Sequence, residues 1–272
     1  MFRKWSSIMH YKEIKSDSLL KKITTQDKLF NGKYSIDPYQ NCEFGCSYCD
    51  SSIDKTIFVK TNSADLLKKE LEKITKGVII VGSVNDPYQN VEKNFKITRS
   101  LLEIIKQKNF SCHILTKSDL ILRDIKILTE INNCTVTISI ISLKNSIFKI
   151  FEKNAPSTQK RLNVMKKLSD KGIKTGLAIL PILPYLVEEE FENIIKSAKK
   201  QKAQYILYKT LELKGDQKIL FMDLLKNYRI DLVDKYKKLY KNSYLPDKKY
   251  IFQINKSLEK LCKVYNLKYQ HN

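Results

Sequence analysis

Through the middle of the chain, short apolar runs alternate with segments whose apolar residues recur every three or four positions. The runs cover residues 78–82, 112–116, 135–141, 176–182 and 204–208, with 33–36 as a weaker first one. They lack the polar alternation of a half-exposed strand, so they predict strands of a parallel sheet covered on both faces.

The segments between them predict amphipathic helices. Asn62 and Ser63 are suited to cap the first, whose stripe is Leu66, Leu67, Leu71 and Ile74. Ile97, Leu101, Ile104 and Ile105 make a second stripe, and Ser118 precedes a third. Pro156 and Ser157 open a fourth helix, with Gly172 just past its end. The fifth begins with Glu188, Glu189 and Glu190 and ends with Lys196, Lys199 and Lys200, a polarity that complements the helix dipole. Six strands alternating with helices imply right-handed βαβ units and an all-parallel sheet, either open or curled into a barrel. Beyond Thr210 the pattern predicts two helices, over 216–241 and 247–265, and no strand. Residues 1–31 read as an irregular basic extension, 32–210 as the core and 211–272 as a basic helical extension packed on it.

Composition narrows the class. With 42% apolar residues, 7 Gly and 6 Pro in 272 residues, the chain is neither disordered nor collagen-like. The longest apolar stretch, 176–187, is too short and too broken by proline to span a bilayer. The N-terminus has no continuous apolar core of a signal peptide. These features predict a soluble, cytoplasmic protein with no membrane partner. The net charge is +21, but 45 of the 50 basic residues are Lys, a skew that suits an AT-rich genome more than selection for phosphate binding. The distribution says more than the total. Residues 201–272 hold 16 basic against 7 acidic residues, so the C-terminal part is the expected electropositive surface.

The cysteines change the picture most. Cys42, Cys46 and Cys49 fall within eight residues, while Cys112, Cys134 and Cys262 are scattered and read as packing. Three clustered thiolates can hold three irons of a [4Fe–4S] cube and leave the fourth iron to an external chelate. Structural zinc wants four ligands in spaced pairs, a ferredoxin needs a fourth cysteine, and a disulfide would strand one thiol. Gly45 allows the loop to wrap around a cluster.

This C-x3-C-x2-C spacing, with Tyr48 before the last cysteine and a strand ahead of the first, resembles the radical S-adenosylmethionine superfamily. Residues 25–210 further resemble its spore photoproduct lyase-like members, often labelled DNA repair photolyases. The motifs in common are Asp37-Pro38-Tyr39 before the cysteines, Asp86-Pro87-Tyr88-Gln89 with Glu92 and Thr98-Arg99, and Thr116-Lys117-Ser118 with Arg123-Asp124. Glu152 with Ala155-Pro156-Ser157 and Arg161-Leu162, then Pro181-Ile182-Leu183-Pro184, complete the set. Asn41 and Phe44 stand where those relatives carry Gly and His, and residues 82–88 lack the cysteine of the namesake.

The resemblance implies an α/β fold, a partial (β/α)6 TIM-type barrel of parallel strands with a helical C-terminal extension. It implies an enzyme with a [4Fe–4S] cluster on Cys42, Cys46 and Cys49, which reductively cleaves S-adenosylmethionine to a 5′-deoxyadenosyl radical for hydrogen abstraction. Strand carboxyl ends carry the sites of such sheets, here residues 82–86, 116–118, 139–142 and 181–184. Gly82 and Ser83 are expected at the methionine amino group, Lys117 and Ser118 at the carboxylate or ribose, and Ser139 at the ribose. Tyr48 is expected at the adenine, and Arg161 at a carboxylate or paired with Glu152. Asp86 and Tyr88 are candidates to face substrate, and Ser142 to join Ser139. The implied partners are a nucleic acid and an electron donor such as flavodoxin or ferredoxin. The alternatives are modification of RNA, a peptide or a metabolite, or a non-catalytic iron–sulfur or zinc nucleic-acid-binding protein.

Overall fold

The computed structural model describes residues 9–25 and 27–271; the first residues, on which the reading of the N-terminus rests, lie outside that range. The strands are β1 (His10–Ile14), β2 (Lys21–Lys22), β3 (Tyr34–Ile36), β4 (Tyr39–Gln40), β5 (Thr56–Lys60), β6 (Val78–Val81), β7 (Ser111–Thr116), β8 (Thr135–Ser139), β9 (Lys174–Ile182), β10 (Tyr205–Thr210) and β11 (Lys268–His271). The helices are α1 (Ser63–Glu70), α2 (Glu92–Phe95), α3 (Ile97–Gln107), α4 (Ile125–Glu130), α5 (Asn145–Phe151), α6 (Thr158–Asp170), α7 (Phe191–Lys200), α8 (Gly215–Tyr228), α9 (Val233–Leu239) and α10 (Lys248–Val264). None of the helices is long and apolar enough to cross a membrane.

Eight strands form one curved sheet in the order β11-β10-β9-β8-β7-β6-β3-β2, whose edges do not pair with each other. Its six central members, β3 and β6 through β10, are the strands read from the apolar runs, all parallel in register. The sheet is therefore a partial barrel. It is not wholly parallel, because β2 adds two residues antiparallel to β3. A second sheet, β1-β5-β4, sits beside it.

Capping explains where several helices begin. Ser118 Oγ accepts from Leu120 N at 3.2 Å, Ser157 Oγ from Lys160 N at 3.4 Å, and Asp247 Oδ1 from Tyr250 N at 2.8 Å. Gly172 ends α6 with φ +79°, a conformation glycine adopts without strain. Asn62 does not cap α1. Its amide instead clamps the backbone of Ser16, accepting from the N–H at 3.0 Å and donating to the carbonyl at 2.8 Å.

Three expectations need correction. The stretch beyond Thr210 is not purely helical, since β11 joins the sheet parallel to β10 with Tyr205 opposite Lys268. Its sequence, Lys-Tyr-Gln-His, has no apolar run, and its strand character comes from the edge of β10. The segment 216–241 is not one helix, because Arg229 takes φ −143° and ψ 73° and breaks it. The break turns Leu232 and Tyr236 onto the same core as Phe221 and Leu225. The stretch 1–31 is not wholly irregular, since β1 pairs in parallel with β5 and β2 antiparallel with β3.

Side chains of the central strands alternate between the barrel interior and the helix layer. Cys112 and Cys134 point to the helices, with their sulfurs 3.7 Å apart, and Cys262 is buried in α10. At the barrel floor His113 and Tyr205 meet through Thr137, with His113 Nε2 2.6 Å from Thr137 Oγ1 and Tyr205 OH 2.6 Å from the same oxygen. His113 Nδ1 lies 3.2 Å from the Phe30 carbonyl, which can only accept, so Nδ1 carries the proton and Nε2 accepts from Thr137.

Burial lowers the His113 pKa from 6.5 to about 4. The unfolded chain thus binds a proton that the folded chain refuses between those two values. This contribution to stability is complete above pH 6.5 and is lost as the pH falls toward 4, to the extent of about 3 kcal/mol. Urea titrations at pH 7 and pH 4.5 are expected to show His113→Gln losing less stability on acidification than the parent protein does. Equal acid losses in the two proteins would sink this account.

Candidate active site

The cysteine loop leaves the small sheet immediately after β4 and is fastened from three directions. Asn41 (φ +67°) and Gly45 (φ +63°) turn it through the left-handed region. Asn41 Nδ2 donates to the Thr56 carbonyl at 2.8 Å. From below, Gln89 accepts from Glu43 N at 2.9 Å and donates to Asn41 O at 3.0 Å, while the Glu43 carboxylate receives Val91 N and the Tyr11 hydroxyl. From the side, Asn154 donates to Glu43 O at 3.0 Å, Ser47 N donates to Phe151 O at 3.0 Å, and Cys46 bridges to Glu152. Within the loop, Cys46 N donates to Ser52 Oγ at 3.2 Å and Cys49 N to Cys46 O at 3.1 Å.

The fold brings Cys42, Cys46 and Cys49 to one end of a cavity of about 460 Å³, all three as free thiols. Cys42 and Cys46 are buried and Cys49 is half-buried. Burial pushes the Cys42 thiol far up and the Cys46 thiol up to about 12, the latter against the pull of Lys117. A bound cation is what would draw thiolates out of such a site. Among the described residues, no three His, Cys, Asp or Glu side chains converge on a point that a single ion could fill. That is compatible with a cube, which places three thiolates on three different irons.

The remaining walls are strand carboxyl ends. Asp37, beyond β3, receives Ser83 Oγ at 2.8 Å and the N–H groups of Val84 and Asn85 at 3.0 Å, which shapes the turn after β6. Gly82 takes φ +82° there, and a Cβ would stand 2.3 Å from Pro87 Cδ, so the turn itself requires glycine. Asp86 receives Thr116 Oγ1 and Lys117 N, both at 2.7 Å, and Tyr88 N at 2.9 Å, which ties the ends of β6 and β7 together. The Tyr88 ring is buried and its hydroxyl donates to Asp124 at 3.2 Å.

Glu152 is the hub between the cysteine loop and the barrel. Its carboxylate accepts the Tyr48 hydroxyl, lies 2.6 Å from Arg161 Nη1 and stands 3.9 Å from Lys117 Nζ. Arg161 also donates to Pro156 O at 2.7 Å and to Ser139 O at 3.0 Å. Burial would lower the Lys117 ammonium, but Cys46 and Glu152 outweigh it and hold the group above the usual lysine range.

Of the residues singled out in the sequence, Tyr48, Gly82, Ser83, Asp86, Lys117, Ser139 and Pro181 line the cavity with the cysteines, and Tyr88 does not. Ser118 and Arg161 are not on its wall: Ser118 caps the turn after β7, and Arg161 acts through Glu152. Ser142 turns away and donates to Glu190 at 2.6 Å. Asn85 lies in the strand-end stretch 82–86 and also lines the cavity; sequence reasoning did not find Leu211, which follows β10, or Gln217, which α8 brings there with no local signal.

The cavity fits a polar ligand beside a cluster. Asn85 Oδ1, Ser139 Oγ and Gln217 Nε2 are buried on its wall without a hydrogen-bond partner, and such atoms want a polar group to meet. Its volume suits a nucleoside-sized molecule. A larger cavity of about 920 Å³ opens at the other end of the barrel, around His113, Cys134 and Tyr205. It lies at the amino ends of the strands and holds no residue of the motifs, so the smaller cavity is the candidate site.

Comparison with known proteins agrees with this geometry. The family described as the Radical SAM superfamily matches residues 36–198, more than half of the chain. An uncharacterized protein of Methanocaldococcus jannaschii is 35% identical over 181 residues, 63% of this chain and 68% of its own length. An uncharacterized protein of Mycobacterium tuberculosis is 24% identical over 235 residues, 79% of this chain and 69% of its own. Among solved structures, spore photoproduct lyase complexed with dinucleoside spore photoproduct superposes with a TM-score of 0.71 at 16% identity, covering 96% of this chain and 81% of the lyase. SuiB of Streptococcus suis bound to S-adenosylmethionine gives 0.61 at 13% identity, covering 88% and 49%. At these identities the two structures speak for the fold.

Proposed function

The chain belongs to the radical SAM superfamily, and from that premise we propose that Cys42, Cys46 and Cys49 carry its cluster and that its substrate is a nucleic acid. It is an enzyme that works with a [4Fe–4S] cluster and S-adenosylmethionine. When bound, that pair supplies a 5′-deoxyadenosyl radical, which takes a hydrogen atom from the substrate. The chain's own residues bind and orient. In this reading Gly82 and Ser83 meet the methionine amino group and Lys117 its carboxylate. Ser139 and Asn85 meet the ribose, and the Tyr48 backbone meets the adenine. Ser118 and Arg161 fix the wall behind them. The single observation that carries the reading is the set of three unpartnered buried polar atoms in one cavity with three free thiols.

The nucleic-acid assignment is supported by where the basic segment 211–272 sits. Tyr236 OH donates to Pro184 O at 2.7 Å, Tyr240 OH to Leu211 O at 2.8 Å, and Leu213 N to Tyr244 O at 2.8 Å. The first bond ties the segment to the loop after β9, and the other two fold it back on its own start, where Leu211 lines the cavity. Tyr185 and Tyr244 stay 40% and 51% exposed there, and Lys235 Nζ is 5.8 Å from the Tyr185 ring. Exposed rings among lysines suit stacked bases and phosphates. The neighbouring lyase structure holds a dinucleoside photoproduct, and a DNA lesion of that kind is the first substrate to try. We assign the reaction to the cytoplasm, where six free cysteines are at home, with flavodoxin or ferredoxin as electron donor.

The test is isotopic. Reconstituted protein, dithionite and S-adenosylmethionine are incubated with deuterated DNA or RNA, and 5′-deoxyadenosine is analysed by mass spectrometry. Deuterium is expected in the nucleoside product. Cofactor cleavage that never acquires label from any nucleic acid would remove the substrate assignment and leave the chemistry standing.

A further inference from the structure

The loop that carries Cys46 and Cys49 faces outward as well as inward. Behind it lies a groove of about 290 Å³, walled by Gly45, Ser47, Ile53, Ile150, Lys153 and Leu224 together with the two cysteines. Groove and active-site cavity have Cys46, Cys49 and Ser52 in common, and α8 borders both, with Gln217 on the cavity and Leu220 and Leu224 on the groove. The rest of the cavity wall is mainly strand ends, whereas the far side of the groove is Ile150 of α5 and Lys153 just beyond it.

Its surface has a definite character. On α8, Ile219 is 68% and Leu220 48% exposed, and Leu220 lines the groove. Lys153 on the groove wall is exposed, as are Lys149 of α5 and Lys226 of α8. Among the described residues none of these three lysines is in an ion pair, although other lysines of the region are, such as Lys209 and Lys214 with Glu212. The one acid on the wall is Asp223. The result is an apolar centre with a basic surround, directly behind two of the three clustered thiols.

Resting on the reading of those thiols as cluster ligands, we propose that this groove is the docking face for an acidic one-electron carrier protein, of which flavodoxin is the probe. The active-site cavity has to hold cofactor and substrate when the electron arrives, so the carrier must approach from elsewhere. Electron transfer weakens steeply with distance, which favours this groove, since Cys46 and Cys49 line it as well. Unpaired lysines steer an acidic partner, and a small apolar centre suits the brief, low-area encounters of electron carriers. The step balances simply: the anionic reduced flavin gives up one electron and becomes its neutral radical, the cluster passes from the 2+ to the 1+ state, and no proton moves.

Lys153→Glu and Leu220→Asp, singly and together, test the assignment on the reconstituted protein. With excess S-adenosylmethionine under anaerobic stopped flow, the double variant is expected to oxidise reduced flavodoxin about tenfold more slowly than the parent. Raising the salt concentration is expected to slow the parent and to narrow that gap. Dithionite is small enough to bypass the groove, so dithionite-driven 5′-deoxyadenosine formation is expected to be unchanged in every variant. A double variant that accepts electrons from flavodoxin at the parental rate overturns the proposal. So does a change in self-association by size-exclusion chromatography with flavodoxin reactivity intact. If dithionite yields no 5′-deoxyadenosine even with the parent, the function has been misread. Titration of flavodoxin onto the chain, expected to be weaker for the variants, then still decides the docking face.

Discussion

Serine in place of Cys46 is expected to leave a folded protein with neither iron nor cofactor cleavage. The parent should reconstitute with about four irons and a band near ~400 nm; the variant should lose both. Cys46 is buried, its N–H is held by Ser52 and its backbone pairs with Glu152, so a near-isosteric oxygen keeps the loop in place. The hydroxyl fails for a chemical reason. A buried thiol already pushed up to about 12 can still yield a soft thiolate to iron, whereas a serine hydroxyl in the same surroundings does not ionise for a metal. Dithionite with S-adenosylmethionine should therefore give no detectable 5′-deoxyadenosine. Cys112→Ser is the control: that sulfur faces the helix layer beside Cys134, away from the cavity, and its loss should spare iron and turnover alike. Persistent cleavage by the Cys46→Ser protein would dismiss the ligand assignment. A loss of iron in the Cys112→Ser protein would point to a site that the cavity does not contain.

Much of this architecture was legible because parallel strands buried on both faces write themselves as apolar runs. The run at 112–116 became Ser111–Thr116, and that at 135–141 became Thr135–Ser139. What could not be read was held by partners distant in sequence. The strand Lys268–His271 exists because Tyr205–Thr210 offers an open edge, and nothing in its own residues announces it. The break at Arg229 has no proline or glycine to mark it, and is fixed by the packing of Leu232 and Tyr236. The same division runs through the site. Three thiols within eight residues are a local signal. Gln217 reaches the cavity only because α8 folds back over the barrel mouth, and Asn85 only because Asp37 holds its turn. Arg161 stood out by its motif, yet whether it met a ligand or a partner depended on Glu152 lying 2.6 Å away.

That pair carries the second large effect. Replacing Glu152 with Ala is expected to cost about 3–5 kcal/mol, because it strands a guanidinium that has no route to solvent. The side chains of Arg161 and Glu152 are each 1% exposed. At 2.6 Å, Arg161 Nη1 and Glu152 Oε2 are in ionic contact, but Oε2 lacks the alignment of a hydrogen bond, so the attraction is chiefly between charges. Without the carboxylate, Arg161 keeps hydrogen bonds only to the carbonyls of Pro156 and Ser139, with the Phe148 ring 5.9 Å away, and no charge to answer its own. The Tyr48 hydroxyl loses its acceptor at the same moment, which loosens the cysteine loop at its third thiol. Urea unfolding of Glu152→Ala, Arg161→Met and the double variant separates these contributions. If charge pairing dominates, the double variant should be more stable than Glu152→Ala alone, since the buried charge has gone with its partner. Simple addition of the two single losses would mean that the pair does not act as one. The cluster reports the other half of the role. The electron paramagnetic resonance spectrum of the reduced protein should broaden in Glu152→Ala, where Tyr48 is free, and sharpen again in Glu152→Gln, whose amide oxygen still accepts from Tyr48. A broad signal in Glu152→Gln as well would place the control of the loop in the charge and not in the hydrogen bond to Tyr48.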